Sequence, residues 1–251
     1  MGQWAPALGV DHGNGGLMTI ASRWPQASLL GGLDERVRRE LLGLGQSVRV
    51  RDGDRLLRAG DPATHVYLLL LGWFKVHANR PSGDEALIAV RSGGDLVGEL
   101  AAFEGRPRTV SVRACGPGVV RRIEREDFLS FLTHHGSALR AVLRAVSAKH
   151  RWVTRRLTDF AGYAVQRRVA CVLAELVEKD LRHADGTAIP VRLSQAELAA
   201  LSGTSVPSVQ RVLREFRTAG LVETRYRRVV VVDVAGVARV AGEEQVVECV
   251  W

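Results

Sequence analysis

The feature that most constrains this fold is a series of short apolar stretches between residues 48 and 123, separated by glycine-centred turns. The turns are Asp52-Gly53-Asp54, Ala59-Gly60-Asp61, Leu71-Gly72, Ser82-Gly83-Asp84 and Gly93-Gly94-Asp95. The stretches resemble strands: Val66–Leu71, Phe74–Ala78, Leu87–Val90, Val110–Val112 and Val119–Ile123. A turn every ~8–12 residues is typical of all-β sandwiches and barrels. We therefore predict a compact domain of short antiparallel strands over residues 28–136, with a short helix at Asp34–Leu44.

A long amphipathic helix is predicted to follow this domain, over residues 137–163 including a hinge. Its apolar residues recur at spacings of three, four and seven: Leu139, Val142, Leu143, Val146, Val153, Leu157 and Phe160. So narrow a stripe usually faces one partner helix, although Lys149 and His150 interrupt it. We expect homodimerisation through Leu139, Val142, Val146, Val153 and Leu157. The alternative is packing of the helix on its own β domain.

Residues 164–240 carry the signals of a helix-turn-helix, preceded by a predicted helix at Gln166–Asp180. Ser194 and Glu197 form a capping box at the start of the first short helix. Gly203 supplies a turn, and Ser205 is a candidate cap for the second helix. That second helix has an apolar face at i, i+3, i+4 and i+7: Val209, Val212, Leu213 and Phe216.

The other face of the second helix is polar and basic, and it suits the major groove of DNA. Arg pairs with guanine and Gln with adenine there. A predicted hairpin, Leu221–Thr224 and Val229–Val232, places arginines where they suit backbone phosphates. Six arginines and two glutamates over residues 206–228 give a local balance of +4. The predicted DNA contacts are Ser194, Gln195, Ser205, Val206, Ser208, Gln210, Arg211, Arg214, Arg225, Arg227 and Arg228. The alternative is a winged-helix module that binds a protein.

A second informative motif, residues 98–114, lies within the predicted β domain: Gly98-Glu99-Leu100-Ala101, then Pro107-Arg108-Thr109 ahead of a strand. With this motif the chain resembles the Crp–Fnr transcription regulators, whose cyclic-nucleotide-binding domains share it with cyclic-nucleotide-dependent kinases. The resemblance extends from about Leu29 to Val240 and includes the long helix and the helix-turn-helix in the family's order. It implies an α+β fold: a cyclic-nucleotide-binding-like β-roll (jelly roll), a long dimerisation helix and a C-terminal winged helix-turn-helix.

The resemblance also implies roles for individual residues. Arg108 would hold a cyclic phosphate, Thr109 would add a hydroxyl donor and Glu99 would bind the ribose. Such roles suit the chemistry, because Arg binds phosphate through charge-assisted bonds and a turn before a helix presents free amides. The backbone cradle would be shaped by Gly98, Leu100 and Ala101, and the base would lie near Val153 and Thr154. No cofactor is required; cAMP or cGMP is the implied allosteric ligand. The alternative is that Arg108 and Glu99 form an ordinary buried ion pair in a domain without a ligand.

The start of the recognition helix departs from the family's best-known pattern, Ser-Arg-Glu-Thr-Val. Here it is Ser205-Val206-Pro207-Ser208-Val209, and neither Val206 nor Pro207 can replace the base-reading Arg and Glu. Proline is compatible with a first helical turn. Arg211 matches a further base-contacting Arg of the family. We therefore expect a different operator, read by Gln210, Arg211 and Arg214.

Composition sets outer limits on function. Lys and Arg (35) exceed Asp and Glu (27), a net charge of +8 that fits a polyanionic partner. The three cysteines are far apart and suggest neither disulfides nor a metal site. The sequence shows no signal peptide and no apolar run of membrane-spanning length, so we expect a cytoplasmic protein. It also lacks a phosphate loop and a nucleophile elbow, so we expect no enzyme activity.

These inferences describe a transcription regulator that binds a near-palindromic site in double-stranded DNA as a homodimer, controlled by a small effector such as cAMP. RNA polymerase is a further expected partner, and a membrane is not. One alternative is a regulator of the same type that is effector-independent or differently gated. The other is a nucleotide-gated module that acts on a protein. Residues 1–27 and 241–251 are expected to be tails.

Overall fold

The computed structural model describes residues 24–26, 28–179, 192–225 and 228–242, and only the backbone at Arg225 and Arg228. Several predictions lie outside these residues. They are the tail over residues 1–23, the end of the helix at Asp180, the DNA contact at Arg227 and the tail over residues 243–251.

The predicted β domain contains two four-stranded antiparallel sheets. The first has the order β1-β8-β3-β6 and the second the order β2-β7-β4-β5. The strands are β1 (Gln46–Val50), β2 (Arg55–Leu57), β3 (His65–Leu71), β4 (Trp73–Asn79), β5 (Glu85–Ser92), β6 (Leu96–Val97), β7 (Ser111–Ala114) and β8 (Gly118–Glu124). Each of the five predicted strands is present, and the fold is the β-roll that the sequence predicted.

Strand β3 shows why an unbroken apolar stretch is needed at the centre of the first sheet. Leu69 faces the second sheet and packs in the core between the sheets, beside Phe74 of β4. Leu68 and Leu70 face the other way and pack under three helices: α1 (Glu35–Gly43), α3 (Arg125–His134) and α4 (Gly136–Gly162). Helix α2 (Glu99–Glu104) connects β6 to the segment that carries Arg108. A strand buried on both faces cannot alternate with polar residues.

The long helix α4 has 27 residues and divides into two parts. In its first half Ala138, Ala141 and Val142 are buried against the β domain of the same chain. In its second half Val153 and Leu157 are 47% and 65% exposed. The assignment of Val142 to a dimer interface was therefore wrong, because Val142 is 1% exposed within its own chain and has no surface to offer a partner. The alternative of self-packing holds for this half of the helix.

The tail predicted to extend to residue 27 includes one residue that is part of the core. Trp24 is 6% exposed, and its indole Nε1 donates to the carbonyl of Leu70 at 3.0 Å. A buried indole usually requires such an acceptor. Trp24 therefore belongs to the β domain rather than to a tail.

The C-terminal part is a winged helix-turn-helix, as predicted. It contains α5 (Val165–Glu178), α6 (Gln195–Leu201), α7 (Val206–Thr218), the antiparallel strands β9 (Val222–Arg225) and β10 (Arg228–Val231), and α8 (Val234–Ala241). Its core is continuous with the outer face of the second sheet, through Trp73, Leu87 and Val90. Helix α5 lies at the centre of this core, and most of its residues are buried. The winged helix is thus docked on the sheet of its own chain.

Candidate functional site

The first candidate site is the turn from β6 into α2. Gly98 has a left-handed conformation, with φ of 90°. A Cβ atom at this position would lie 2.6 Å from Nη1 of Arg108. Glycine is therefore needed here for its backbone conformation and for the approach of the guanidinium. The Gly98-Glu99 turn and Arg108 thus form a cradle.

Arg108 is buried beside this turn, with 4% exposure. It donates to the carbonyl of Gly98 at 2.8 Å and to the carbonyl of His65. Burial lowers its pKa, while the nearby Tyr67, Glu99 and Asp61 oppose that change. A guanidinium has five N–H donors in a planar fork, so these two bonds leave donors for an anionic ligand.

Glu99 is also buried, with 4% exposure, but its partner is not Arg108. Its Oε1 accepts from Nζ of Lys149 at 2.8 Å, and Lys149 also donates to the carbonyl of Leu96 at 2.6 Å. The alternative of a plain Arg108–Glu99 pair is therefore not what the structure shows. In the sequence pattern Lys149 is only an interruption of an apolar seam. Local spacing does not signal this role, because the partners Glu99 and Leu96 lie some fifty positions away in the sequence.

The remaining residues predicted around the cradle differ in position. Ala101 is buried, whereas Leu100 is 50% exposed. Thr109, Val153 and Thr154 are exposed, so within one chain the structure does not join them to Glu99, Arg108 and Lys149. The cradle thus consists of the buried Arg108 and Glu99 and the partly buried Lys149 around a glycine turn. This arrangement fits a ligand that has both an anionic group and a hydroxyl donor.

The second candidate site is the helix-turn-helix, and its local geometry follows the prediction. The Ser194–Glu197 capping box is formed: Oγ of Ser194 accepts from the Glu197 amide at 3.2 Å, and Glu197 Oε2 accepts from the Ser194 amide at 2.8 Å. Ser205 caps α7 through the amide of Ser208, and Pro207 lies in the first turn. The face predicted to be apolar is buried: Val209, Val212, Leu213 and Phe216.

The opposite face of α7 lies at the surface and carries Gln210, Arg211 and Arg214, all exposed. Nε2 of Gln210 donates to Oε1 of Gln195, at the start of α6, at 2.9 Å. The structure therefore joins the two predicted glutamine contacts across the two helices. Ser194, Val206 and Ser208 are partly buried at the edge of this surface, and Ser205 is exposed.

The hairpin β9–β10 pairs Arg225 with Arg228 at its tip, beside α7. Arg217 of α7 donates to Oγ1 of Thr224 at 3.1 Å and ties the helix to this hairpin. A basic helix backed by a buried apolar face, next to a hairpin, has the form of a DNA-reading winged helix.

Two further observations bear on function class. Among the described helices, none is long and apolar enough to cross a membrane. Within the same residues, no group of three or more His, Cys, Asp or Glu is arranged to hold a metal ion.

Comparison with known families assigns both parts of the chain. Residues 47–135 match the cyclic nucleotide-binding domain, and residues 167–240 match the Crp-like helix-turn-helix domain. These ranges contain the cradle turn and the helix-turn-helix described above.

Individual relatives cover most of the chain. It is 31% identical over 185 residues to the transcriptional regulator LdrP of Thermus thermophilus, covering 73% of this chain and 90% of that protein. It is 26% identical over 196 residues to the CRP-like cAMP-activated global transcriptional regulator of Mycobacterium tuberculosis, covering 77% and 87%. Among solved structures, the c-di-GMP responsive global regulator CLP of Xanthomonas campestris matches with a TM-score of 0.62 and 25% identity, covering 79% of this chain and 99% of that one.

Proposed function

Since this chain belongs to the Crp/Fnr family of transcription regulators, which are not enzymes, we propose that it binds a specific DNA operator as a homodimer under the control of a cyclic nucleotide. The observation that carries the DNA-binding part is the exposed face of α7 with Gln210, Arg211 and Arg214, held by a fully packed opposite face. Rigid presentation of two arginines and an amide suits readout of base edges. Phosphates would be contacted by the basic hairpin and the α6 N-terminus, which position the domain.

The operator differs from that of relatives with Arg and Glu at the start of this helix, because Val206 and Pro207 make no hydrogen bonds to bases. Arg211 is the main guanine-reading residue, and Gln210 reads adenine. In a dimer the two copies of α7 enter successive major grooves about one DNA turn apart, which requires a near-palindromic site. RNA polymerase is the further protein partner expected at such a site.

The effector is held by Arg108 and Glu99 at the Gly98 turn. Arg108 binds the cyclic phosphate, and the second oxygen of Glu99 accepts from the ribose, since Lys149 occupies only Oε1. The cAMP-activated relative in M. tuberculosis supports cAMP as the ligand. The c-di-GMP responsive relative in X. campestris makes a cyclic dinucleotide the competing ligand of the same chemistry.

The DNA-binding proposal is tested by selecting operators from random duplexes with the wild type and with Arg211→Ala. We expect the variant to lose the preference for guanine at one position per half-site, since a bidentate pair contributes about 1–3 kcal/mol of discrimination. Arg36→Ala is the matched control, because Arg36 is an 88% exposed arginine of the β domain. An unchanged site preference in Arg211→Ala would refute the assignment. Absence of salt-dependent binding to any duplex would refute DNA binding itself.

The effector proposal is tested by calorimetric titration with cAMP, cGMP and c-di-GMP. We expect cAMP binding to disappear in Arg108→Ala and to persist in Arg106→Ala, which removes an exposed arginine two positions away. Arg108→Lys keeps the charge but loses the planar fork, and it is expected to bind more weakly than wild type. Binding of c-di-GMP alone would identify the cyclic dinucleotide, rather than cAMP, as the effector. Absence of binding by all three would favour effector-independent control.

A further inference from the structure

One face of α4 connects the cradle to the winged helix. Lys149, Trp152 and Arg156 follow each other at spacings of three and four, so they share a face of the helix. Lys149 contacts Glu99 and Leu96 of the β domain. One turn further along, the indole Nε1 of Trp152 donates to Oε2 of Glu175 in the winged-helix part at 2.9 Å. Neighbouring side chains of one rigid helix thus hold two buried carboxylates in two domains.

Glu175 is the centre of the second contact. Its side chain is 8% exposed, and it receives Trp152, the guanidinium of Arg156 at 3.8 Å and an ion pair from Lys179. Burial acts to raise its pKa, but the charges of Lys179 and Arg156 and the hydrogen bonds outweigh burial, so the pKa lies well below its usual range. The guanidinium of Arg156 also lies 4.7 Å from the centre of the Trp152 ring. Removing one donor from a buried charge is costly. The donors around Glu175 therefore hold α4 and α5 in one relative position.

The same cluster holds α5 against the second sheet. Lys179 Nζ lies 3.4 Å from the carbonyl of Val90, and Val90 and Leu87 pack in the core of the winged helix. A cavity of about 110 Å³ lies at this junction and is lined by Lys149, Trp152 and Lys179, among others. The side chains that join the domains therefore have space beside them for a second arrangement.

We propose that Trp152 and Glu175 are positioning residues that transmit occupancy of the cradle to the winged helix. This inference rests on the effector binding proposed above. A ribose hydroxyl that donates to Oε2 of Glu99 shares the carboxylate charge with Lys149, which holds Oε1, and so weakens the Lys149 contact that holds α4 against the β domain. Because Trp152 lies one turn away on the same face, the change reaches Glu175 and with it the orientation of α5. The ligand shifts DNA affinity only as far as it distinguishes the two arrangements.

The test compares DNA affinity with and without saturating cAMP in wild type, Trp152→Phe and Glu175→Gln. Phenylalanine keeps an aromatic ring but removes the N–H donor, and glutamine keeps an acceptor but removes the charge. We expect the ratio of the two DNA affinities to fall at least ~5-fold towards one in both variants, within the usual range of allosteric coupling. Affinity for cAMP in the absence of DNA is expected to change much less. Trp73→Phe is the matched control, because Trp73 lies in the core that joins the same two domains but not on α4.

The outcomes separate the inference from the proposed function. A wild type whose DNA affinity ignores every cyclic nucleotide would overturn effector control, and the inference with it. A responsive wild type, with unchanged ratios in Trp152→Phe and Glu175→Gln, would overturn the inference alone. An equal fall of the ratio in Trp73→Phe would also overturn it, since any weakening of the docked core would then suffice. A fall confined to the two α4–α5 variants would establish the role of Trp152 and Glu175.

Discussion

At the scale of single residues, His65 shows how burial and neighbouring arginines lower the pKa of a histidine beside the cradle. Its carbonyl accepts from Arg108, while its ring lies against Tyr67 and within 3.3 Å of the Arg122 guanidinium. Burial, followed by the charges of Arg122 and Arg108, lowers the pKa of His65 to about 4, although Glu124 opposes this. The imidazole is therefore neutral in the folded protein near neutral pH.

This predicts a loss of stability on acidification. Between pH about 6.5 and 4 the unfolded chain binds a proton at His65 that the folded chain does not bind, so unfolding is favoured as the pH falls through this range. Urea unfolding at pH 7 and pH 5 should show a smaller loss for His65→Gln than for wild type. His150→Gln is the control, since His150 is exposed on α4. Equal losses in wild type and His65→Gln would contradict the prediction.

At the scale of elements, the predictable features were those with local causes. Glycine turns located the strands, and the Ser194 capping box with the spacing of Val209, Val212 and Phe216 located the helix-turn-helix. The spacing of apolar residues along a helix does not show which element they pack against. Leu139 and Val146 are partly buried and pack against the β-domain core that contains Val142, whereas Leu143 and Leu157 stay exposed. Only the packed structure distinguishes these two faces.

Two helices and one site residue were missed for similar reasons. Helix α3 has its apolar residues Phe128, Phe131 and Leu132 on one face, but it follows β8 directly with no side-chain cap. Helix α8 is short and contains Gly236, although Asp233 caps it. Lys149 was missed because its partners, Glu99 and Leu96, are some fifty positions away in the sequence. Long-range pairing of a single charge leaves no pattern that local spacing can show.

The turn between α6 and α7 gives a prediction at this scale. Gly203 has φ of 58°, and a Cβ atom there would lie 2.6 Å from the ring of Phe160 on α4. Gly220 has φ of 71° with nothing within 4 Å of such an atom. We expect Gly220→Ala to cost about 1 kcal/mol from backbone strain alone, and Gly203→Ala to cost about 1–3 kcal/mol more from the collision. Chemical denaturation measures both, and equal costs would mean that Phe160 moves aside freely.

At the scale of the whole molecule, the described part of the chain leaves an apolar stripe of α4 exposed. On α4, Leu143, Val153 and Leu157 are 53%, 47% and 65% exposed, and Phe160 is 36% exposed. The β domain covers the first half of α4 on one face, and the winged helix is docked through Trp152 and Glu175 on the same side. The uncovered stripe therefore lies beside both contacts. A second copy of α4 packed on this stripe would fix the spacing between the two winged helices.

Dimerisation through this stripe is tested at its most exposed residue. In a symmetric pair Leu157→Glu removes two apolar side chains and places two like charges at the seam. Burial of two leucines contributes about 3 kcal/mol or more, so the dissociation constant should rise at least ~100-fold. Thr158→Glu adds the same charge at the exposed neighbouring position and should leave the dimer intact. Analytical sedimentation of both variants measures whether each one is a dimer.

Affinities for a full operator and for a half-site then measure the consequence for DNA binding. A monomeric Leu157→Glu should lose most of its preference for the full operator, because only a dimer holds two recognition helices at the spacing of two half-sites. A Leu157→Glu protein that stays dimeric would move the interface away from α4.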